Sequence, residues 1–514
     1  MTYPEFVADK EAVDEILSMA GFEIKAASRK QLEAIAYTVY NAIRGESTLI
    51  GLGTGAGKAF ISLTVMKILR NIGVISKKTL FLLPNTNATT NIVKEITKFY
   101  PELSVFNLRP THGMMCFTEK YDIIVSTYPT LVQSSTLLKS DRKGDMGGNL
   151  LLLRASVDYI IADEVHNCAG QDSQRFKGID QIVNGVNPTD RRKLILAMSG
   201  TLVTADKRLD NIWAPMKLVD GGAALGKRYE YFVGDPRLFK QTTIKIGKPK
   251  GGGWQPTTKK YTAKCATKEY VEKAIGDYFI NYDLEKKARS GGMSIRKIDI
   301  EMMYRIQAKY TERREVYTSQ SSRETKPQVL QQLMQLNSGF LYFKEHGENA
   351  NSFSYQDSHK AIYLENNIRT WLAETEGKIL IFHNFVECGS LIDTACRNAG
   401  VETLRMDSSM GQQVKLEMRE EFVSSDTCRV LIIPYRIGAE SLNFATESEG
   451  IVVQGVVCFD AIFAETLFFQ ALGRADRMGQ KRKTWCKFLS GGNEESKWFD
   501  DVISNLEYSL ETEN

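Results

Sequence analysis

Short apolar runs alternate with stretches of helical periodicity over the first 220 residues of the chain. The run Thr48–Ile50 leads into a glycine-rich stretch, and apolar residues three and four apart predict a helix over 59–69. Further apolar runs, each short enough for a buried strand, cover residues 79–83, 121–126, 158–162 and 194–198. This alternation of strands and helices predicts a mostly parallel sheet with helices on both faces.

A second region of the same kind begins near Ser358. Its strands are predicted at residues 378–382, 429–433 and 450–453, with helices such as 388–399 and 410–422 between them. The residues between the two regions are more charged and read as mainly helical from 265 to 340. We therefore predict an α/β fold with a first sheet domain at 1–220, a helical and basic insertion at 221–355, and a second sheet domain at 356–514.

The composition excludes several classes of protein. Sixty-six basic side chains against 62 acidic ones leave a net charge of only +4, so any surface for nucleic acid must be local. The eight cysteines include no Cys-x-x-Cys pair, which argues against a zinc site or a disulfide framework and favours a reducing compartment. No signal-peptide pattern opens the chain, and no apolar run approaches the roughly 20 residues that span a bilayer. We expect an intracellular protein without a membrane partner, in cytoplasm, nucleoid or nucleus, or in a host cell if it is viral.

The stretch from Gly51 to Ala59 is nearly a P-loop. Its glycines let backbone amides approach phosphates, and the following helix adds its dipole. The residues predicted to hold ATP here are Gly53, Thr54, Gly55, Ala56, Gly57, Lys58 and Ala59. Lys58 would reach the β and γ phosphates, but Ala59 stands where a P-loop carries the hydroxyl that binds Mg²⁺. The alternative is a glycine-rich turn before an amphipathic helix.

Two adjacent carboxylates follow the predicted strand at 158–162, in the sequence Asp163-Glu164-Val165-His166. They would emerge at the carboxyl edge of the sheet, where α/β folds bind ligands. We predict that Asp163 holds Mg²⁺, directly or through water. Glu164 would orient and deprotonate an attacking water.

Two arginines lie three residues apart in the segment from Gln470 to Gln480, which places Arg474 and Arg477 on one face of a helix or turn. Their guanidinium groups stay charged and match phosphate oxygens. From a second domain they could act as arginine fingers on the γ-phosphate. The alternative is a surface helix with salt-bridged arginines.

Residues 237–264 contain seven lysines and one arginine but no acidic residue, with a loop at 251–256. Lys248 and Lys250 could contact a phosphate backbone, and Trp254 could stack on a base. A solvated basic hairpin or flexible insertion is the alternative.

Taken in order, these motifs resemble those of superfamily 2 helicases and translocases, and among them the Swi/Snf-type ATPases. Residues 28–31 resemble the start motif whose glutamine reads adenine, residues 126–128 a DNA-contact motif, and residues 199–201 a coupling motif, although Leu202 replaces the expected proline. The segment 470–480 fits Gln-x-x-Gly-Arg-x-x-Arg-x-Gly-Gln almost throughout. Its trailing Gly479-Gln480 is typical of Swi/Snf-like members.

The resemblance implies two RecA-like lobes that close on ATP and Mg²⁺. The implied nucleotide contacts outside the glycine loop are Arg29, Gln31 and Gln470, and the implied coupling residues are His166, Ser199, Gly200 and Thr201. Nucleic acid would contact Thr127, Tyr128, Arg436 and Asn443, although residues 439–441 depart from the usual Gly-Leu-Gly of that last motif. Lobe one would supply Lys58, Asp163 and Glu164, and lobe two the two arginines.

We therefore expect a monomeric, ATP-driven DNA translocase that remodels DNA or displaces bound protein, with duplex or branched DNA favoured over RNA. No domain that would serve as a strand-splitting pin is evident. One alternative is a strand-separating or branch-migrating helicase in replication, recombination or repair. Another is an ATP-binding DNA clamp that hydrolyses slowly because of Ala59.

Overall fold

The computed structural model divides into two compact units, unit one at residues 1–284 and unit two at residues 285–514. The structure describes the whole chain except residues 26–27, 53–55, 110–119, 134–147, 169, 186, 188, 201–205, 246–256, 281–292, 320–325, 346–347, 352, 440–441, 443, 447–449, 463, 476–479, 481 and 512–514. The predicted insertion at 221–355 spans the boundary between the two units.

Strands of unit one form a parallel sheet and a separate hairpin. They are β1 (Thr48–Ile50), β2 (Lys78–Leu83), β3 (Val105–Asn107), β4 (Ile123–Thr127), β5 (Val157–Ala162), β6 (Leu194–Met198), β7 (Phe239–Lys245), β8 (Thr257–Ala263) and β9 (Phe279–Ile280). The sheet has seven parallel strands in the order β3-β4-β2-β5-β6-β1-β9. Strands β7 and β8 pair antiparallel outside it, from Phe239↔Ala263 to Lys245↔Thr257.

Helices cover both faces of this sheet. They are α1 (Tyr3–Ala8), α2 (Lys10–Ser18), α3 (Arg29–Ile43), α4 (Lys58–Asn71), α5 (Thr86–Phe99), α6 (Tyr128–Gln133), α7 (Gly148–Ser156), α8 (Gln174–Asn184), α9 (Trp213–Asp220), α10 (Tyr229–Val233) and α11 (Cys265–Ile275), with short 3₁₀ helices at Val165–Cys168 and Asp206–Ile212. Because successive residues of a strand point to opposite faces, Leu80 and Leu82 enter one core while Phe81 and Leu83 enter the other. Burial on both faces is why the strands read as continuous apolar runs.

Unit two repeats this arrangement. Its strands are β10 (Ser294–Asp299), β11 (Tyr342–Glu345), β12 (Glu348–Asn351), β13 (Lys378–His383), β14 (Thr403–Arg405), β15 (Val430–Pro434), β16 (Ala445–Thr446), β17 (Gly450–Ile451), β18 (Val453–Cys458) and β19 (Trp485–Ser490). Six of them form a parallel sheet in the order β10-β19-β18-β13-β15-β14. The others form two small antiparallel pairs, β11 with β12 and β16 with β17.

The helices of unit two pack on both faces of its six-stranded sheet. They are α12 (Tyr304–Ser319), α13 (Lys326–Asn337), α14 (His359–Ala373), α15 (Val386–Asn398), α16 (Gln412–Ser424), α17 (Tyr435–Ala439), α18 (Glu465–Leu472) and α19 (Asn493–Glu511), with a 3₁₀ turn at Tyr355–Asp357. The predicted α/β fold with two parallel-sheet lobes is therefore confirmed. The strand predicted at 450–453 was wrong in extent, because the main strand there is β18 at Val453–Cys458. In the part of the chain that the structure describes, no helix is long and apolar enough to cross a membrane.

Candidate nucleotide site and motif clusters

The glycine loop leads from β1 into α4, as the sequence predicts. Gly57 caps the helix with a φ of 79°, a left-handed conformation that favours glycine. The next residue, Lys58, donates a hydrogen bond from Nζ to the Leu52 carbonyl oxygen at 2.8 Å, so its ammonium group lies back over the loop. Gly53, Thr54 and Gly55 lie outside the described residues.

Gln31 reaches this loop from the first turn of α3. Its side chain is 2% exposed, and Nε2 donates to the Ala56 carbonyl oxygen at 3.1 Å. Arg29, at the start of the same helix, forms a salt bridge with Asp14 at 2.8 Å. The structure therefore brings Gln31 to the predicted nucleotide loop, whereas Arg29 is engaged with a surface carboxylate.

The two carboxylates lie at the carboxyl edge of the sheet. The Asp163 backbone N–H donates to the Leu82 carbonyl oxygen at 2.9 Å, which ties the turn that follows β5, at Asp163 and Glu164, to the end of β2. Glu164 follows with a φ of 51°, a left-handed conformation that costs a non-glycine residue roughly 1–2 kcal/mol. Such strained backbone is concentrated at functional sites. The Glu164 N–H also donates to Asp163 Oδ1 at 3.0 Å.

The environment separates the pKa values of these two carboxyl groups. Burial raises the pKa of Asp163, and the charge of the adjacent Glu164 raises it further. Burial acts on Glu164 in the same direction, but hydrogen bonding from His166 and the positive charge of Lys58 outweigh it, so the pKa of Glu164 is lowered. Lys58 also lowers the pKa of Asp163. The lysine and the two carboxylates therefore form one electrostatic cluster.

The predicted coupling residues meet this cluster directly. His166 Nδ1 lies 2.9 Å from Ser199 Oγ and 3.2 Å from Glu164 Oε2. The Ser199 backbone N–H donates to the Ile50 carbonyl oxygen at 2.9 Å, and the Gly200 N–H contributes to lowering the pKa of Glu164. Ser199 thus bridges the ends of β1 and β6 while it contacts His166. Thr201 lies outside the described residues.

This cluster fits a magnesium nucleotide in most respects. Mg²⁺ is usually held by one or two carboxylates together with substrate phosphates, which matches Asp163 beside Lys58. Glu164 is held beside this pair, since His166 Nδ1 lies 3.2 Å from its Oε2 and both His166 and the Gly200 N–H lower the pKa of its carboxyl group. The exception is Ala59, since the nearby Ser62 hydroxyl donates to the Ala59 carbonyl at 2.9 Å and does not replace the missing ligand.

The structure buries Tyr128, which the sequence predicts as a nucleic-acid contact. Its side chain is 0% exposed, and its hydroxyl donates to the Asp163 carbonyl oxygen at 2.6 Å. The neighbouring Thr127 is also buried, and its Oγ1 lies 2.8 Å from Thr130 Oγ1. Tyr128 therefore positions the carboxylate turn instead of presenting a surface to a partner.

Unit two brings its own motif residues together. Arg436 is exposed on α17, and Gln470 is half-buried on α18. Arg474 is only 6% exposed, and its Nη1 donates to the Leu442 carbonyl oxygen at 2.8 Å. This bond joins the arginine segment to the segment that follows Arg436. The predicted contacts Asn443, Arg477, Lys248, Lys250 and Trp254 lie outside the described residues.

Gln480 has a structural role that the motif alone does not reveal. Its Nε2 donates to the carbonyl oxygens of Val453 at 2.7 Å and Ala475 at 2.9 Å, and its Oε1 accepts from the Arg482 N–H at 3.0 Å. A glutamine is needed because the site requires both a donor and an acceptor. Gln480 therefore holds the end of the arginine segment against β18.

Two protein families match this chain. The family described as "Type III restriction enzyme, res subunit" matches residues 11–204, and the "Helicase conserved C-terminal domain" matches residues 359–479. The first match contains the cluster around Lys58 and Glu164, and the second contains Arg436 and Arg474.

Curated relatives are longer proteins. The chain is 19% identical over 453 residues to the ISWI chromatin-remodeling complex ATPase ISW2 of Saccharomyces cerevisiae, covering 84% of this chain and 35% of that one. It is 28% identical over 131 residues to the DNA repair protein RAD5 of Gibberella zeae, covering 25% of this chain and 11% of that one. The chain thus spans about a tenth to a third of the length of these relatives.

Among solved structures, the chain is similar to the Sulfolobus solfataricus SWI2/SNF2 ATPase core in complex with dsDNA. The identity is 19% and the TM-score is 0.40, with 94% of this chain and 92% of that chain covered. A second structure, the Sulfolobus solfataricus SWI2/SNF2 ATPase core domain, gives 18% identity and a TM-score of 0.40, with 94% of this chain and 89% of that chain covered.

Replacing Tyr128 by Phe tests its buried position. We expect a loss of about 1–3 kcal/mol in the free energy of unfolding, because the Asp163 carbonyl loses a buried donor. Tyr159→Phe is the matched control, since the buried Tyr159 hydroxyl has no hydrogen-bond partner among the described residues and its removal should cost little. Unfolding by denaturant and binding to a labelled duplex would be measured. If Tyr128→Phe left the stability unchanged but weakened DNA binding, the result would support the predicted direct contact between Tyr128 and DNA.

Proposed function

We propose that this chain, whose two halves match helicase-type family models, is a Swi/Snf-like ATPase of helicase superfamily 2: an ATP-driven motor that translocates along DNA and remodels DNA or displaces bound protein. The observation that carries the proposal is the cluster at the carboxyl edge of the first sheet. There Lys58 acts electrostatically on both Asp163 and Glu164. Glu164 is in turn linked through His166 to Ser199.

In the proposed reaction the residues of unit one bind and orient the nucleotide. Lys58 would leave the Leu52 carbonyl for the β and γ phosphates, and Asp163 would hold the magnesium ion, which supplies charge neutralisation. Glu164 is ionised at neutral pH because its pKa is lowered. A carboxylate of low pKa is a weak base, so its main contribution would be to orient the attacking water.

The proposed coupling runs through contacts that already exist. A change at the γ-phosphate would move Glu164, and His166 would transmit that change to Ser199 and the start of the segment after β6. Arg474 and Arg477 would complete the site when the lobes close, as the family resemblance implies. Each cycle of closure and opening would advance the motor along one strand.

Duplex or branched DNA is the proposed partner. The names of the relatives, a chromatin-remodeling ATPase and a DNA repair protein, favour DNA over RNA. The basic segment 237–264 would supply local positive charge on a chain whose net charge is only +4. We propose that the motor acts as a monomer.

Glu164→Gln tests the proposed hydrolysis. The variant should bind ATP and duplex DNA but lose most DNA-stimulated ATP hydrolysis, by about 10²-fold or more, since the carboxylate that orients water is gone. Steady-state phosphate release with and without blunt duplex at fixed salt would measure this. Glu15→Gln removes an exposed carboxylate from α2 of the same unit and should change nothing. Equal rates for Glu164→Gln and wild-type protein would contradict the assignment.

Ala59 affects the expected rate of ATP hydrolysis, and it is the reason for the alternative function of an ATP-binding DNA clamp that hydrolyses slowly. Ala59→Thr should raise kcat by up to about tenfold if the missing hydroxyl limits metal positioning. Ala59→Val is the matched control because valine has the shape of threonine without the hydroxyl. If kcat rises with threonine but not with valine, the missing hydroxyl ligand of Mg²⁺ is what limits hydrolysis. Equal rates in all three proteins would show that the site compensates and that Ala59 does not slow the motor.

Strand separation is a second candidate function, and the β7–β8 hairpin favours it. No strand-splitting pin is evident in the sequence, yet the structure contains a two-stranded ribbon outside the main sheet. Its base is fixed by aromatic contacts, with Phe239 5.1 Å from Phe232 and Tyr261 6.1 Å from Tyr229 between ring centroids. Four lysines lie on its strands, at positions 240, 245, 259 and 260.

Replacing residues 242–260 by a short glycine turn tests this candidate, since the aromatic base at Phe239 and Tyr261 stays in place. If the hairpin splits strands, unwinding of a forked duplex should fall by at least about tenfold while ATPase stimulation by blunt duplex persists. Substituting only Lys259 and Lys260 by Ala separates charge from shape. If the unmodified protein does not unwind the forked duplex, strand separation is excluded. Translocation on intact duplex then remains as the proposed function.

A further inference from the structure

A group of fully buried charged side chains lies in unit two, outside every motif considered above. Lys360, Asp460 and Glu495 are each 0% exposed. Lys360 is on α14, Asp460 follows β18, and Glu495 is in the first turn of α19. Charges are seldom fully buried unless they are paired, so this group requires a specific explanation.

Lys360 and Glu495 together hold the segment that follows β18. Lys360 Nζ donates to Glu495 Oε2 at 2.7 Å and to the Phe459 carbonyl oxygen at 2.9 Å. Glu495 Oε1 accepts from the Ala461 N–H at 2.9 Å, and Oε2 also accepts from the Gly491 N–H at 2.9 Å. Two helices that are far apart in sequence therefore fix the backbone on both sides of Asp460.

Asp460 connects three strand ends. Its Oδ1 accepts from the Asn384 N–H at 2.8 Å and its Oδ2 from the Phe385 N–H at 3.4 Å, just after β13. Its own carbonyl oxygen accepts from the Tyr435 hydroxyl at 3.0 Å, where β15 ends and α17 begins. Burial raises the pKa of Asp460 to about 7, against the effect of the Lys360 charge.

These contacts converge on the segments that carry the predicted arginines. Residues 459–461 lead into α18, which carries Gln470 and is followed by Arg474. Tyr435 is the first residue of α17, which carries Arg436. The buried group therefore fixes the start of both segments, while the bond from Arg474 to Leu442 joins them further along.

Stability alone does not account for the pair of Lys360 and Glu495. Removing two charges from water costs several kcal/mol per ion, and apolar replacements of similar volume often leave a protein as stable or more stable. What apolar side chains cannot do is hold the Phe459 carbonyl and the Ala461 and Gly491 amides at defined positions.

We propose that Lys360, Asp460 and Glu495 are positioning residues that set the two arginine-bearing segments of unit two for ATP hydrolysis, an inference that rests on the proposed ATPase function. Because all three side chains are fully buried, they would not touch the nucleotide themselves. They act by fixing the backbone from which Arg436, Gln470 and Arg474 extend.

The double variant Lys360→Met/Glu495→Met tests this role, because it removes both charges without leaving one of them unpaired. We expect the variant to remain folded, because removal of the buried charges offsets the loss of their backbone partners, while DNA-stimulated kcat falls at least about tenfold and KM for ATP changes less than about twofold. Lys297→Met/Asp500→Met is the matched control. It removes a partly exposed ion pair, 2.7 Å long, between β10 and the same helix α19, and should leave kcat unchanged.

Amide hydrogen exchange provides a readout that does not depend on activity. In the Lys360 and Glu495 double variant, exchange should speed up across residues 459–472 and at Asn384, and the Lys297 and Asp500 variant should match wild-type protein there. A folded double variant with wild-type kcat, or with unchanged exchange at these residues, would overturn the proposal. Absence of DNA-stimulated hydrolysis in wild-type protein would instead refute the proposed function, and exchange would still decide the positioning role.

Discussion

The structure depends on one constraint, which is that parallel strands all end at the same edge of their sheet. In unit one, β1, β5 and β6 bring the glycine loop, the two carboxylates and Ser199 to that edge. The hydrogen bond from the Ser199 N–H to the Ile50 carbonyl shows this directly, because it joins two motifs that are distant in sequence. The electrostatic cluster of Lys58, Asp163 and Glu164 exists only because the sheet places these residues side by side.

Unit two uses the same edge but supports it differently. Its strand ends carry backbone groups held by buried charges, chiefly Lys360, Asp460 and Glu495. In unit one, by contrast, the strand end carries a strained backbone at Glu164, whose φ is positive, next to the charges of Lys58 and Asp163. This difference fits the proposed roles, in which unit one carries the hydrolytic groups and unit two carries an arginine-bearing segment whose start is held by buried charges.

Much of the fold could be predicted because strands buried on both faces leave continuous apolar runs, and the carboxylates were found because they follow such a run directly. Burial of Tyr128 could not be predicted, since its hydrogen-bond partner Asp163 is 35 positions away in the sequence. The β7–β8 hairpin was only one of the alternatives for residues 237–264, because its threonine- and lysine-rich strands show no apolar alternation that would favour strands over a flexible insertion. The pairing of Lys360 with Glu495 spans 135 positions and leaves no local signal.

Displacement of a third strand from duplex DNA tests the central claim, ATP-driven translocation, most directly. A labelled oligonucleotide bound as a triplex on blunt duplex would be incubated with the full chain, at stated salt because phosphate contacts depend strongly on it. If the chain translocates on duplex DNA, the third strand should be released with ATP and Mg²⁺ but not with a non-hydrolysable analogue. Hydrolysis stimulated by DNA without any release, or equal release in the absence of ATP, would contradict it.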